Sequence, residues 1–66
     1  MDPKKKLSVV IEHWIEHNNS HMGEYKKWAQ TAGELGLDPV KTEIEEAMKS
    51  ISQSSQHLAK ALKMVE

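Results

Sequence analysis

Two Asp-Pro pairs, at positions 2–3 and 38–39, divide this chain into two helical segments. Asp is favoured as an N-cap, and Pro is favoured at the first helical position, where its missing N–H costs nothing. Between the segments, Gly36 is typical of a left-handed C-cap, and Leu37 supplies the apolar residue that often follows one. The sequence therefore predicts one helix at about 3–35 and a second at about 39–65, joined at Gly36-Leu37.

Both predicted helices carry apolar residues at helical spacing. The apolar residues are Leu7, Ile11, Trp14, Met22, Tyr25, Trp28, Ala29, Ala32 and Leu35 in the first helix, and Val40, Ile44, Ala47, Met48, Ile51, Leu58, Ala61, Leu62 and Val65 in the second. A short link forces the helices antiparallel, so the predicted fold is an all-α helical hairpin with the aromatic rings in its core. Two helices cannot enclose both stripes, and we expect a homodimer that forms a four-helix bundle.

Length and composition limit what else this chain is expected to be. Its 66 residues predict a single domain, 1–66, with a marginal core, and the absence of cysteine excludes disulfides and thiolate metal sites. A net charge of −1 argues against nucleic acid as a partner. The apolar run at positions 9–11 is too short for a membrane span or a signal sequence, so we expect a soluble cytoplasmic protein.

Polar residues interrupt both stripes near mid-helix. They are His17, Asn18 and His21 in the first helix and Ser54, Ser55 and His57 in the second. Antiparallel pairing around the turn puts residue n opposite roughly residue 73 − n, so we expect the two interruptions to face each other. A polar layer inside a bundle is costly unless its members satisfy one another.

Three histidines in the first helix suggest a transition-metal site in the interior of the bundle. His13, His17 and His21 recur every four residues, so that His13 with His17, or His17 with His21, can chelate one ion. His57 and the local carboxylate of Glu16 are candidate further ligands, with Glu16 and Asn18 also suited to orienting the imidazoles. Imidazole and carboxylate ligands suit Zn, Ni, Co, Cu or Fe without selecting among them.

Other interpretations of the histidines remain open. The segment 13–17 reads H-x-x-E-H, the inverted zinc-protease pattern, but a hairpin of this size offers no substrate cleft, so we do not expect an enzyme. The main alternative to metal binding is a structural module for dimerisation or for binding a partner helix, whose polar layer fixes register. Because histidine changes its charge near neutral pH, such a dimer would also respond to pH.

The segment from His13 to Ala29 resembles a known pattern. Its residues match H-W-I-E-H-N-x-x-H-x-x-x-[YF]-x-x-W-A, which is similar to a family of small helical proteins of anaerobic archaea and bacteria with no settled activity. The resemblance covers about the first half of the chain. It implies that His13, Glu16, His17, Asn18 and His21 belong to one signature, and it does not include His57.

Overall fold

Two helices account for nearly all of the chain in a computed structural model that describes residues 2–65. Helix α1 spans Pro3–Glu34 and helix α2 spans Asp38–Val65. They pack against each other as an all-α hairpin with Cα extents of 51 × 16 × 11 Å, which confirms the predicted fold class. Within residues 2–65, neither helix has an apolar stretch long enough to cross a membrane.

Local capping explains where α1 begins and ends. The backbone N–H of Lys4 donates to the Asp2 side chain at 3.0 Å, so Asp2 is the predicted N-cap. At the other end Gly36 has a φ of +74°, its N–H donates to Gly33, and the N–H of Leu37 donates to the Ala32 carbonyl at 2.8 Å. These two bonds form the Schellman motif, which confirms the predicted role of Gly36.

Helix α2 begins one residue earlier than the sequence predicts. The carbonyl of Leu37 accepts from the N–H of Lys41 at 3.0 Å, so Leu37 opens α2 while it also completes the end of α1. The predicted cap at Asp38 is therefore wrong by one residue. Asp38 instead lies in the first turn of α2, where its negative charge complements the helix dipole.

The helices meet along two rows of residues spaced alternately by three and four, as in a coiled coil. The rows, which we call the hairpin interface, are Ile11, Ile15, Asn18, Met22, Tyr25, Ala29 and Ala32 in α1, and Lys41, Ile44, Met48, Ile51, Ser55, Leu58 and Leu62 in α2. All are buried or half-buried. A hydrogen bond between Asn18 and Ser55 confirms the predicted register, since 18 and 55 sum to 73.

The hairpin buries few of its residues. Among residues 2–65, only Ile11, Ala29 and Ala32 are buried. The accessible surface is 5229 Å², whereas a compact monomer of 7.5 kDa exposes about 4,200 Å². The radius of gyration of 15.3 Å likewise exceeds the roughly 11 Å of a compact domain of this length. One copy therefore leaves about 1,000 Å² more surface open than a self-contained domain would.

The tryptophans do not occupy the core of the hairpin. Trp14 is 50% exposed and Trp28 is 58% exposed, although the sequence predicts both as core anchors. Ile15 and Asn18 lie in the hairpin interface instead. The physical reason is that the apolar residues of α1 form two adjacent rows, and α2 is wide enough to cover only one.

Candidate interaction face and histidine cluster

The second apolar row of α1 lies beside a matching row of α2 on one side of the hairpin. We call the two rows the open face: Leu7, Trp14, His21, Trp28 and Leu35 in α1, and Val40, Ala47, Ser54 and Ala61 in α2. Residues seven apart stay on one side of helices that pack in this way. A groove that Trp28 shares with Val40 and Ala47 shows that the two rows flank the same side.

The two sides of the hairpin differ in character. Among the open-face residues, Trp14, Trp28 and Leu35 are large apolar side chains that are at least half exposed. The groove on the opposite side contains apolar residues of the hairpin interface, among them Met22 and Met48, and is bordered by charged side chains such as Lys26 and Glu45. Several large apolar side chains exposed on one side of a small domain are typical of a protein interaction site.

The predicted polar layer forms at the middle of the hairpin. The Asn18 amide donates to Ser55 Oγ at 3.2 Å and to Ser54 Oγ at 3.4 Å. Asn18 and the two serines thus face each other as predicted, whereas the three histidines of the interruptions are exposed. Because the amide nitrogen of Asn18 is directed at α2, the expectation that Asn18 orients a histidine ligand stays a prediction.

Two of the four histidines are brought together on the open side of α1. The rings of His17 and His21 have centroids 4.8 Å apart, and the ring of His21 lies 6.1 Å from that of Tyr25. Both histidines are exposed and lie close to the midpoint of α1. His21 thus lies at the centre of the open face and His17 lies beside it, and both are outside the hairpin interface.

The other predicted ligands do not join this pair into a larger set. His13 and Glu16 line a shallow depression with Trp14 and His17 on the outer surface of α1. His57 is exposed on α2. Within residues 2–65, no three side chains among His, Asp and Glu are grouped so that they could hold an ion. One copy of the chain therefore presents a histidine pair.

Helical periodicity alone does not separate the open face from the hairpin interface. The signal for it is the strict seven-residue recurrence of positions 7, 14, 21, 28 and 35. Each of the first four immediately precedes a half-buried or buried residue of α1. A row that runs beside the interface row in this way is a second, mainly apolar surface of α1.

Comparison with known proteins identifies a family and no activity. No curated protein and no solved structure matches the chain. The expected membership of a family without an assigned activity is confirmed, whereas the histidine motif as the signature of that family stays a prediction. The chain belongs to the DUF8180 family, a domain of unknown function, whose model matches residues 7–65.

Proposed function

We propose that this chain is a self-associating helical module in which a second copy covers the open face. One observation carries the proposal: two half-exposed tryptophans lie on one side of a hairpin that buries only three side chains among residues 2–65. Burial of apolar surface is the main favourable term in folding and association. A chain with so little internal core gains most of its stability from whatever covers this side.

The dimensions of the open face fit a second copy of the chain. The side of the hairpin that carries the open face measures 51 by 16 Å between Cα atoms, and the product of these two extents is an area of about 800 Å². A standard-size interface removes about 800 Å² from each partner. Two hairpins stacked face to face also give the four-helix bundle, the usual way for amphipathic hairpins to bury their stripes.

Charge substitutions on the two sides of α1 test this proposal. Trp28→Glu places a charge in the open face, whereas the matched control Gln30→Glu places the same charge in the opposite groove, which is already bordered by charged side chains. We expect Trp28→Glu to weaken self-association at least about 30-fold, the effect of losing a buried tryptophan hot spot. Gln30→Glu should leave it unchanged, as measured by sedimentation equilibrium over a range of concentrations. Equal dissociation constants for the two variants would refute the proposal.

A second candidate function is transition-metal binding at the histidine pair. The 4.8 Å separation of the His17 and His21 rings supports it, because imidazoles one helical turn apart can chelate one ion. Of the two pairs suggested by the sequence, this geometry favours His17 with His21 over His13 with His17. Zn, Ni, Co, Cu and Fe all accept imidazole ligands.

The metal function predicts a stability change that depends on the ion. With zinc present, His17→Ala should lower the free energy of unfolding relative to the native chain, because the folded state then loses a bound ion. Without zinc, the same substitution of an exposed residue should change stability by less than about 0.5 kcal/mol. Urea unfolding with and without zinc measures both effects. If His17→Ala changed stability equally in the two conditions, the histidine pair would not be a metal site.

A further inference from the structure

Two open faces can be stacked about a two-fold axis in two ways. If the axis runs parallel to the helices, the two turns lie at the same end, and α1 of one copy faces α2 of the other. If the axis runs across the helices, the turns lie at opposite ends, and α1 faces α1. The side chains that meet differ between these arrangements, so the residues of the open face distinguish them.

The parallel axis matches large side chains with small ones. Two open-face residues that lie at the same height along one hairpin have residue numbers that sum to about 75. Trp14 is therefore level with Ala61, and Trp28 is level with Ala47. With the turns together, each tryptophan therefore lies against an alanine of the partner copy. Interdigitation of large and small side chains fills a bundle core at a uniform helix separation.

The transverse axis packs the same residues poorly. It sets Trp14 against the partner's Trp28 and sets Ala47 against the partner's Ala61, so α1 would be held far from its copy while α2 approached closely. With the two turns at opposite ends, the basic segment 4–6 of one copy would lie near the acidic turn around Glu34 of the other copy, and this attraction favours the transverse axis. These charges are exposed, however, and such pairs contribute only about 0–1 kcal/mol each. Packing therefore decides for the parallel axis.

The parallel axis also changes which histidines meet. His17 and His57 are level, since they sum to 74, and each lies three residues beyond an open-face residue, Trp14 or Ser54. Within one hairpin this places them on opposite outer edges of the open face. When α1 lies against α2 of the partner, His17 and the partner's His57 come to the same edge.

We infer that His17, His21 and the partner copy's His57 form a three-imidazole site for a divalent transition metal such as zinc, with one site per chain. This inference rests on the proposed self-association. Three histidines with one open position form a known zinc ligand set, in which water or a substrate completes the tetrahedron. The lack of a three-ligand group within residues 2–65 agrees with a site divided between two chains.

Mixing two inactive variants tests the division of the site between chains. The variant His57→Ala keeps the His17–His21 pair and lacks the third ligand. The double variant His17→Ala/His21→Ala keeps only His57 of the three proposed ligands. Each variant alone should bind zinc at least about tenfold more weakly than the native chain, since loss even of groups behind the ligands costs 10- to 100-fold. Refolding the two variants together from urea produces mixed dimers with one complete site each. Calorimetric titration with zinc ions should then recover tight binding, to roughly a quarter of the native number of sites.

Controls separate this inference from the function on which it rests. Gln56→Ala, next to His57, should bind zinc as the native chain does. If the mixture is dimeric by sedimentation but recovers no tight zinc binding, the shared site is overturned and self-association stands. If the chains remain monomeric, both proposals fail. Unchanged zinc binding by His57→Ala would also overturn the inference.

Discussion

At the scale of single residues, the cap and the polar layer make different contributions. Gly36 allows the chain to reverse, because its φ of +74° is open to glycine and strained for other residues. Asn18 and its two serines place a satisfied polar layer in an otherwise mainly apolar interface. Such a layer costs stability and excludes other registers, so the register of the hairpin is defined near its middle.

The same substitution at two glycines should change stability in opposite directions. Gly36→Ala should lower the free energy of unfolding by about 1–2 kcal/mol, the cost of a left-handed conformation for an L-residue. Gly23→Ala, whose Cβ would meet nothing within 4 Å, should raise it by up to about 1 kcal/mol through helix propensity. Urea unfolding of both variants measures this, and a stabilising Gly36→Ala would contradict the capping assignment.

The sequence predicts these local features unevenly, for a physical reason. Asp2 and Gly36 act through bonds within a few residues, so residue type and order suffice to predict them. The start of α2 at Asp38 does not follow from the same rules. Leu37 takes part in the C-terminal cap of α1 and also accepts the first backbone hydrogen bond of α2, whereas the capping preferences of residues describe each helix end separately.

At the scale of the helices, the register between α1 and α2 is predictable from the sequence, whereas the apolar residues that the other helix covers are not. The length of the link fixes which levels of α1 and α2 meet, and the Asn18–Ser55 bond lies at the predicted level. Three- and four-residue periodicity shows that Trp14 is on an apolar side of α1 but not which helix covers it. The histidine site is limited in the same way, because His17 and His57 share a level and lie on different edges.

Exchanging a large and a small residue tests the proposed matching of the helices. Trp14→Ala alone leaves a hole, and Ala61→Trp alone brings two tryptophans together, so each should weaken the dimer at least about tenfold, or 1.4 kcal/mol. The double substitution restores one tryptophan and one alanine to each contact and should recover most of this loss.

A mismatched pair serves as the control for this exchange. Trp28→Ala with Ala61→Trp combines residues from different levels and should show no recovery. Dissociation constants from sedimentation equilibrium complete the double-mutant cycle, in which directly contacting residues show coupling of about 0.5–3 kcal/mol. Additive losses in the pair of Trp14→Ala with Ala61→Trp would exclude the parallel two-fold arrangement.

At the scale of the whole molecule, the hairpin is a flat layer with exposed tryptophans on one side and a groove bordered by charged side chains on the other. Its thickness of 11 Å between Cα atoms is that of a single layer of helices. Stable domains are built from at least two packed layers around one core. In the proposed dimer, a second copy supplies the missing layer and the third histidine of each site.

The mass of the native chain in solution tests the central claim, self-association through the open face, most directly. Sedimentation equilibrium at micromolar concentrations should give twice the 7.5 kDa of one copy, with thermal unfolding that shifts to higher temperature as concentration rises. A folded species of 7.5 kDa, whose unfolding temperature does not depend on concentration, would contradict the claim.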